Sequence, residues 1–357
     1  MNKIFKNVIQ YSLRLKRGEK VFIFADDKSK EYCKFFCKEL MEFGATPVVV
    51  WNDVSLNESF IKYGEKETLN GMYDAVEKTI DACDVAVMFD NNIENYKDFD
   101  AESVLKFKNE YYLRIFQKIM TFERWVYMRY PQQELADLFG MTYEEHEKLL
   151  IDVNNFDYQT LATKANKLKN ILDKTNEIHI LGKETDLKFS KKDINTVVCC
   201  GNINLPDGEV YTAPEKYSVN GTILFDVDSY FRGVVYKDIK FIVKDGKIVD
   251  FCCNERERLA EILNSDEGAS YFGEFAIGLN PFITRNFNDN LFNEKMVQTI
   301  HMAIGNSHSD SKNGNYSIIH WDLIKNMKEE CQIWFDNKLV YENGHFTIDE
   351  LKDIFNQ

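Results

Sequence analysis

Proline is scarce, 5 in 357 residues, which argues against a long disordered linker. The 8 cysteines contain no C-x-x-C pair. Cys33 and Cys37 stand four apart on a helical pattern. Cys199-Cys200 and Cys252-Cys253 are neighbours in strand-like runs, where alternation sends them to opposite faces. A reduced set fits better than a disulfide framework, and a cysteine-rich zinc site is not expected. No apolar run approaches the length of a transmembrane helix. The first twenty residues lack an apolar signal core and a small-residue cleavage site, so no secretory signal is expected. Positive charge is in deficit, with 44 Lys and Arg against 58 Asp and Glu, a net charge of −14. That disfavours nucleic-acid backbones and anionic membranes as partners. G-x-G-x-x-G and G-x-x-x-x-G-K are missing, so no dinucleotide or phosphate loop is assigned. The expectation is an acidic, soluble, cytoplasmic protein.

What is present is core-forming: 44% hydrophobic and 14% aromatic residues, in a length that argues for two domains. Apolar runs at 21–25, 46–51, 85–89 and 124–128 alternate with amphipathic helical stretches, the pattern of parallel βαβ units. Thr142-x-x-Glu145 is a capping box, and the helical stretch from 132 to 176 reads as a bridge. His146 there reads as a solvated surface histidine. From 177 onward short strands and turns take over, including a hairpin through Asp245-Gly246. The fold class expected is α/β plus α+β: an open, mostly parallel sheet domain over 1–176, then a mainly antiparallel β domain with inserted helices over 177–357. His179 in the second domain reads as a core or edge histidine, and His345 as structural or exposed.

Three of the 6 histidines, His301, His308 and His320, fall in one stretch, HMAIGNSHSDSKNGNYSIIHWD. The run 296–300 ending at His301 reads as a helix closed by Gly305. A polar loop follows, then a strand over 316–324. Strand alternation puts His320 and Asp322 on one face and Ile319, Trp321 and Leu323 on the other. Such an imidazole–carboxylate pair is either a hydrogen-bonded pair or part of a divalent-metal site. Two further carboxylates stand out. Glu209 follows a proline-led turn at a strand start and by itself reads as solvated. Glu274 lies in an apolar, glycine-flanked stretch, where a carboxylate needs a cation or hydrogen bonds.

The blocks LPDGEVYTAP, GEFAIGLNP, HMAIGN and SIIHWDLI, in this order, with YSLRLKRGEKVFI near the start, resemble the thermophilic-type metalloaminopeptidase family (aminopeptidase T / aminopeptidase S-like) over nearly the whole chain. The resemblance implies metal ligation by Glu209, Glu274, His301, His320 and Asp322. It implies two divalent ions, zinc, cobalt or manganese, with one carboxylate bridging. It also implies hydrolysis of N-terminal residues from peptides with a free N-terminus by activated water, with Glu274 or Glu209 shuttling the proton. A homodimer is implied as well. One position departs from the family. A tyrosine is common seven residues after the first metal histidine, and this chain has His308 there. That imidazole can donate a similar hydrogen bond, add a metal ligand, or be a solvated loop residue. Tyr316 is a candidate replacement for the phenol. The alternative to an active enzyme is an impaired member that binds metal or peptide.

Overall fold

In a computed structural model, which describes residues 2–91, 96 and 99–355, the strand–helix alternation near the N-terminus folds as a parallel sheet. The elements in chain order are α1 (Asn2–Asn7), β1 (Lys20–Asp26), α2 (Lys30–Phe43), β2 (Thr46–Asn52), α3 (Val54–Tyr63) and α4 (Lys66–Asp81). Then come β3 (Val85–Phe89), α5 (Ala101–Phe107), α6 (Leu113–Ile119), β4 (Trp125–Met128), α7 (Gln133–Leu138) and α8 (Tyr143–Asn154). β1 lies between β2 and β3, and β4 follows β3, all parallel. Phe22, Phe24, Ala86 and Met88 pack against Leu69, Tyr73, Ile80, Phe107 and Ile115 from the helices. Val21, Ile23, Val85 and Val87 on the other face are fully buried too, which is why the strands read as continuous apolar runs. The capping box at Thr142 and Glu145 is present. His146, expected at the surface, is fully buried in α8, its ring edge-on to Phe139 at 5.2 Å. The charged residues around it in sequence lie on the other side of the helix, so local composition was a poor guide. Among the described residues, no helix is long and apolar enough to cross a membrane.

Asp26 ends β1 as a carboxylate pushed up to about 6, first by burial and then by nearby Asp90, against the hydrogen bond from Tyr130. A folded-state value above the ordinary 3.8 means that the proton favours the folded form. This contribution is fully present below about pH 4 and is lost as pH rises to about 6. Asp26→Asn should therefore gain stability relative to wild type between about pH 4 and pH 7, by at most about 3 kcal/mol. Urea unfolding at the two pH values checks this, and a constant difference would refute it.

The chain forms two compact units, Met1–Phe156 with Gly201–Pro206, and Asp157–Cys200 with Asp207–Gln357. The second begins with α9 (Tyr158–Leu172), β5 (Glu177–Gly182), β6 (Thr185–Ser190) and β7 (Val197–Cys199). The sequence pattern places the α9 segment before a boundary near 177. In the structure α9 packs on β7 and on a later strand of the same sheet. The short strand β8 (Asn204–Leu205) extends the first unit's sheet beside β4. Next come β9 (Glu209–Thr212), β10 (Asn220–Phe225), β11 (Ser229–Phe231), β12 (Val234–Tyr236), β13 (Ile239–Lys244), β14 (Lys247–Cys252) and α10 (Arg256–Leu263). The rest are β15 (Phe272–Gly278), α11 (Asn290–Asn293), β16 (Thr299–Gly305), β17 (His320–Asn326), β18 (Gln332–Phe335), β19 (Lys338–Glu342) and β20 (His345–Phe346).

Two large antiparallel sheets result, β14-β13-β10-β6-β5-β18-β19-β20 and β17-β16-β15-β9-β7. His179 on β5 faces the neighbouring strand, 2.8 Å from Asp186, a cross-strand partner that its sequence neighbours did not announce.

The segment carrying His301 is a strand, not the end of a helix. β16 is the second strand of its sheet, between β15 and β17, and every residue from Thr299 to Gly305 is buried. A strand covered on both faces shows no alternation, so periodicity alone could not separate it from a buried helix. Gly305 does end the element, but as a strand terminus at φ +95°. A Cβ there would stand 2.1 Å from the Ile319 carbonyl oxygen, so only glycine fits.

Candidate metal centre

Register places the functional side chains. In the β17-β16-β15-β9 sheet, Ala303 lies opposite both Glu274 and Asp322. His301 lies opposite Ala276, Gly305 opposite His320, and Gly278 opposite Glu209. Residues directly opposite share a face, and so do residues two apart on one strand. Glu209, Glu274, His301, His320 and Asp322 therefore all project from one face. Ala276, Ala303, Tyr211 and Ile324 share this face, and Gly278 and Gly305 are small because the Met296 and Ile319 carbonyl oxygens would stand 2.1 Å from a Cβ there.

The five converge closely. His301 Nε2 is 3.5 Å from Glu209 Oε2, 3.5 Å from Glu274 Oε1 and 4.0 Å from Asp322 Oδ1. His320 Nε2 is 3.3 Å from Glu274 Oε2 and 3.6 Å from Asp322 Oδ1. His308 reaches the same carboxylate from its loop, Nε2 to Oε2 at 3.0 Å. Two potential ligand groups result, Glu209–Glu274–His301 and Glu274–His308–His320. They meet at Glu274, one through each carboxylate oxygen.

Backbone contacts hold these side chains in place. His320 Nδ1 donates to the Asn306 carbonyl at 2.8 Å, which directs Nε2 into the cluster. The His308 loop is stapled by Asn315, which donates to the Gly268 and Gly305 carbonyls, and by Asn313, which donates to those of Pro214 and Phe272. The His308 ring packs between His320 at 4.6 Å and Tyr211 at 5.2 Å.

Burial sets the electrostatics. Glu209 is 5% exposed and Glu274 2%, so the reading of Glu209 as solvated fails: β9 lies inside the sheet. Burial pushes Glu209 up, opposed by Lys295 and His301. Burial also works against ionised Glu274, but His308, His301 and His320 together hold it well below the usual carboxylate range. Burial opposes charging of the imidazoles as well, yet the carboxylates raise His301 to about 9 and His320 to about 10. His308 is raised by Glu274 against the same penalty.

The donor set suits divalent metal. Among the described residues, Glu209 Oε2 and Asp322 Oδ1 are buried with no hydrogen-bond partner. Such oxygens are costly unless a cation completes them. Carboxylates with imidazoles match zinc, cobalt or manganese. Tyr316 does not join the centre: it is 75% exposed. The aromatic ring beside His308 is that of Tyr211, whose hydroxyl donates to Asp310 at 2.9 Å.

Sequence reasoning missed Lys295. Its ammonium is buried, 2.5 Å from Glu209 Oε1, 2.8 Å from Glu294 Oε1 and 3.8 Å from Asp207 Oδ1. These carboxylates raise it well above the ordinary lysine range in spite of burial. The one available signal was a Glu-Lys pair set in the apolar run 291–297.

A model of the family described as thermophilic metalloprotease (M29) matches residues 1–346. The chain belongs to this family. Aminopeptidase AmpS of Bacillus subtilis is 21% identical over 91% of this chain and 88% of its own length. Aminopeptidase T of Thermus thermophilus is 28% identical over 41% of this chain and 38% of its own. The solved structure of wild-type AmpT from Thermus thermophilus superposes with a TM-score of 0.82 at 18% identity, covering 97% of this chain and 98% of that one. The M29 fold is thus shared from end to end at low sequence identity. The combination of a parallel α/β sheet with antiparallel β sheets, expected from the sequence, is the observed one.

Proposed function

We propose that this M29 metal-dependent aminopeptidase works through two divalent ions held on the shared face of the β17-β16-β15-β9 sheet. Glu209, Glu274 and His301 would hold one, and Glu274, His320 and Asp322 the other, with Glu274 bridging. The observation that carries this reading is the division of Glu274, one oxygen toward each ligand group. When bound, the ions supply Lewis acidity and an acidified water.

The chain's own residues do the rest. With both Glu274 oxygens turned to the ions, His308 Nε2, 3.0 Å from Glu274 Oε2, would take the proton from the attacking water. His308, whose side chain is 43% exposed where Glu274's is 3%, is the member of the pair that reaches solvent. From there it would donate the proton to the departing amine and hydrogen-bond the tetrahedral oxygen, the part a phenol would otherwise play. Zinc, cobalt and manganese all fit the donor set. A cytoplasmic homodimer acting on short peptides completes the proposal.

The test uses metal-stripped protein with zinc, cobalt or manganese restored separately. The substrates are aminoacyl amides and their N-acetylated counterparts. Metal-restored turnover confined to the free-amine substrates is expected. Equal turnover of the acetylated series would point to a different hydrolase. Two bound ions without turnover would support the metal- or peptide-binding alternative.

A further inference from the structure

A third cluster of ligand-type side chains adjoins the centre. Cys199, Asp207 and Glu209 are all buried, with potential ligand atoms within 4.8 Å of one another. A cation is already there: Lys295 Nζ makes its contacts with Glu209 and Asp207 in this cluster and reaches Glu294 as well. The lysine is 1% exposed. Its backbone is pinned on both sides, N–H to the Phe292 carbonyl at 3.1 Å and carbonyl to the Asn280 N–H at 2.9 Å.

We propose that Lys295 is a built-in cation that makes the two metal positions unequal: the ion on the His308–His320 side binds first and tightly, and the ion on the Glu209–His301 side binds second and weakly. The inference rests on the two-ion reading above and deepens it.

The asymmetry follows from where the ammonium sits. Glu209 belongs to only one of the two ligand groups that meet at Glu274. Its Oε1 is taken by Lys295, so only Oε2, which faces His301, remains for a metal. An ion there meets a carboxylate whose charge is already shared and feels the repulsion of a fixed positive charge one carboxylate away. Lys295, Glu209 and His301 are all buried, so screening is weak. Among the described residues, the other group makes no ion pair with a lysine; its anionic member is Glu274, flanked by Asp322. Lys295 still leaves room for two ions in charge terms. Even with Glu294 protonated, as its burial favours, Asp207, Glu209, Glu274 and Asp322 are four formal negative charges against one ammonium. The net charge of the centre stays negative once the imidazoles are neutral, which favours divalent ions.

The experiment is a calorimetric titration of the metal-stripped full chain with manganese, with free ion counted by electron paramagnetic resonance and no substrate present. Wild type should bind two ions in two steps whose dissociation constants differ by about tenfold or more. Lys295→Met keeps most of the length of the side chain and removes its charge, so the second step should tighten by about tenfold and approach the first. Lys295→Gln serves the same purpose should the methionine variant fail to fold. His320→Ala should weaken the first step. Two equal steps in wild type would overturn the inference, as would a gap unchanged in the lysine variants or loss of the second step in His320→Ala. Each of those outcomes leaves the aminopeptidase reading standing. Absence of any metal binding would sink both.

Discussion

Glu274→Ala is expected to abolish metal-dependent turnover, by roughly 10³-fold or more, and to leave the protein unable to hold two ions. The reason is positional. Glu274 turns one oxygen to each of the two ligand groups that meet at it, Oε1 toward His301 and Oε2 toward His308 and His320. In the two-ion proposal its removal would take a ligand from both positions at once, and it leaves three imidazoles around a gap where their shared anion stood. Asp322→Ala should be milder, because the Asp322 oxygen is farther from His320 and His301, at 3.6 and 4.0 Å. Metal content by emission spectroscopy, measured beside aminoacyl-amide hydrolysis, separates loss of metal from loss of chemistry. A Glu274→Ala protein that keeps two ions and wild-type turnover would remove Glu274 from the mechanism.

The second large effect lies behind the centre. Trp321 stands between His320 and Asp322 on β17 and projects from the opposite face. It is fully buried, stacked on Phe231 at 4.5 Å and edge-on to Tyr236 at 4.8 Å, with Nε1 donating to Ser229 Oγ at 2.9 Å. Trp321→Ala should cost about 3–5 kcal/mol, the range for deleting a large buried aromatic. The cavity would open beneath the strand that aims His320 and Asp322, the proposed ligands, so metal affinity should fall as well. Saturating metal should restore part of the stability, because the ions bind the folded form alone. Urea unfolding with and without metal checks both parts. A loss below about 1 kcal/mol would mean that neighbouring rings refill the space.

Much of the architecture was legible because it rests on local pattern. Continuous apolar runs separated by amphipathic helices specified the parallel sheet, and Asp245-Gly246 specified the β13–β14 hairpin. Alternation along 320–324 correctly separated the His320–Asp322 face from the Trp321–Leu323 face. The same kind of reasoning failed at 296–301. A strand buried on both faces and a buried helix present the same uninterrupted apolar run, and only pairing with β15 and β17 distinguishes them. It failed at His146 and at Glu209 too, where the neighbours in sequence were polar or turn-forming but the neighbours in space were not.

By itself, then, the sequence determined the fold class, the family blocks and the short-range pair His320–Asp322, because each depends on residues close together in the chain or on motifs in order. The tertiary structure alone decided the rest. Cross-strand register set Glu209, Glu274 and His301 on the face of His320 and Asp322, across separations that no local pattern encodes. A stapled loop brought His308, rather than Tyr316, onto Glu274. The turn after α11 delivered Lys295 to the far oxygen of Glu209. Ligand geometry of this kind is a property of which strands pair and in what register, and that is settled only when the whole sheet forms.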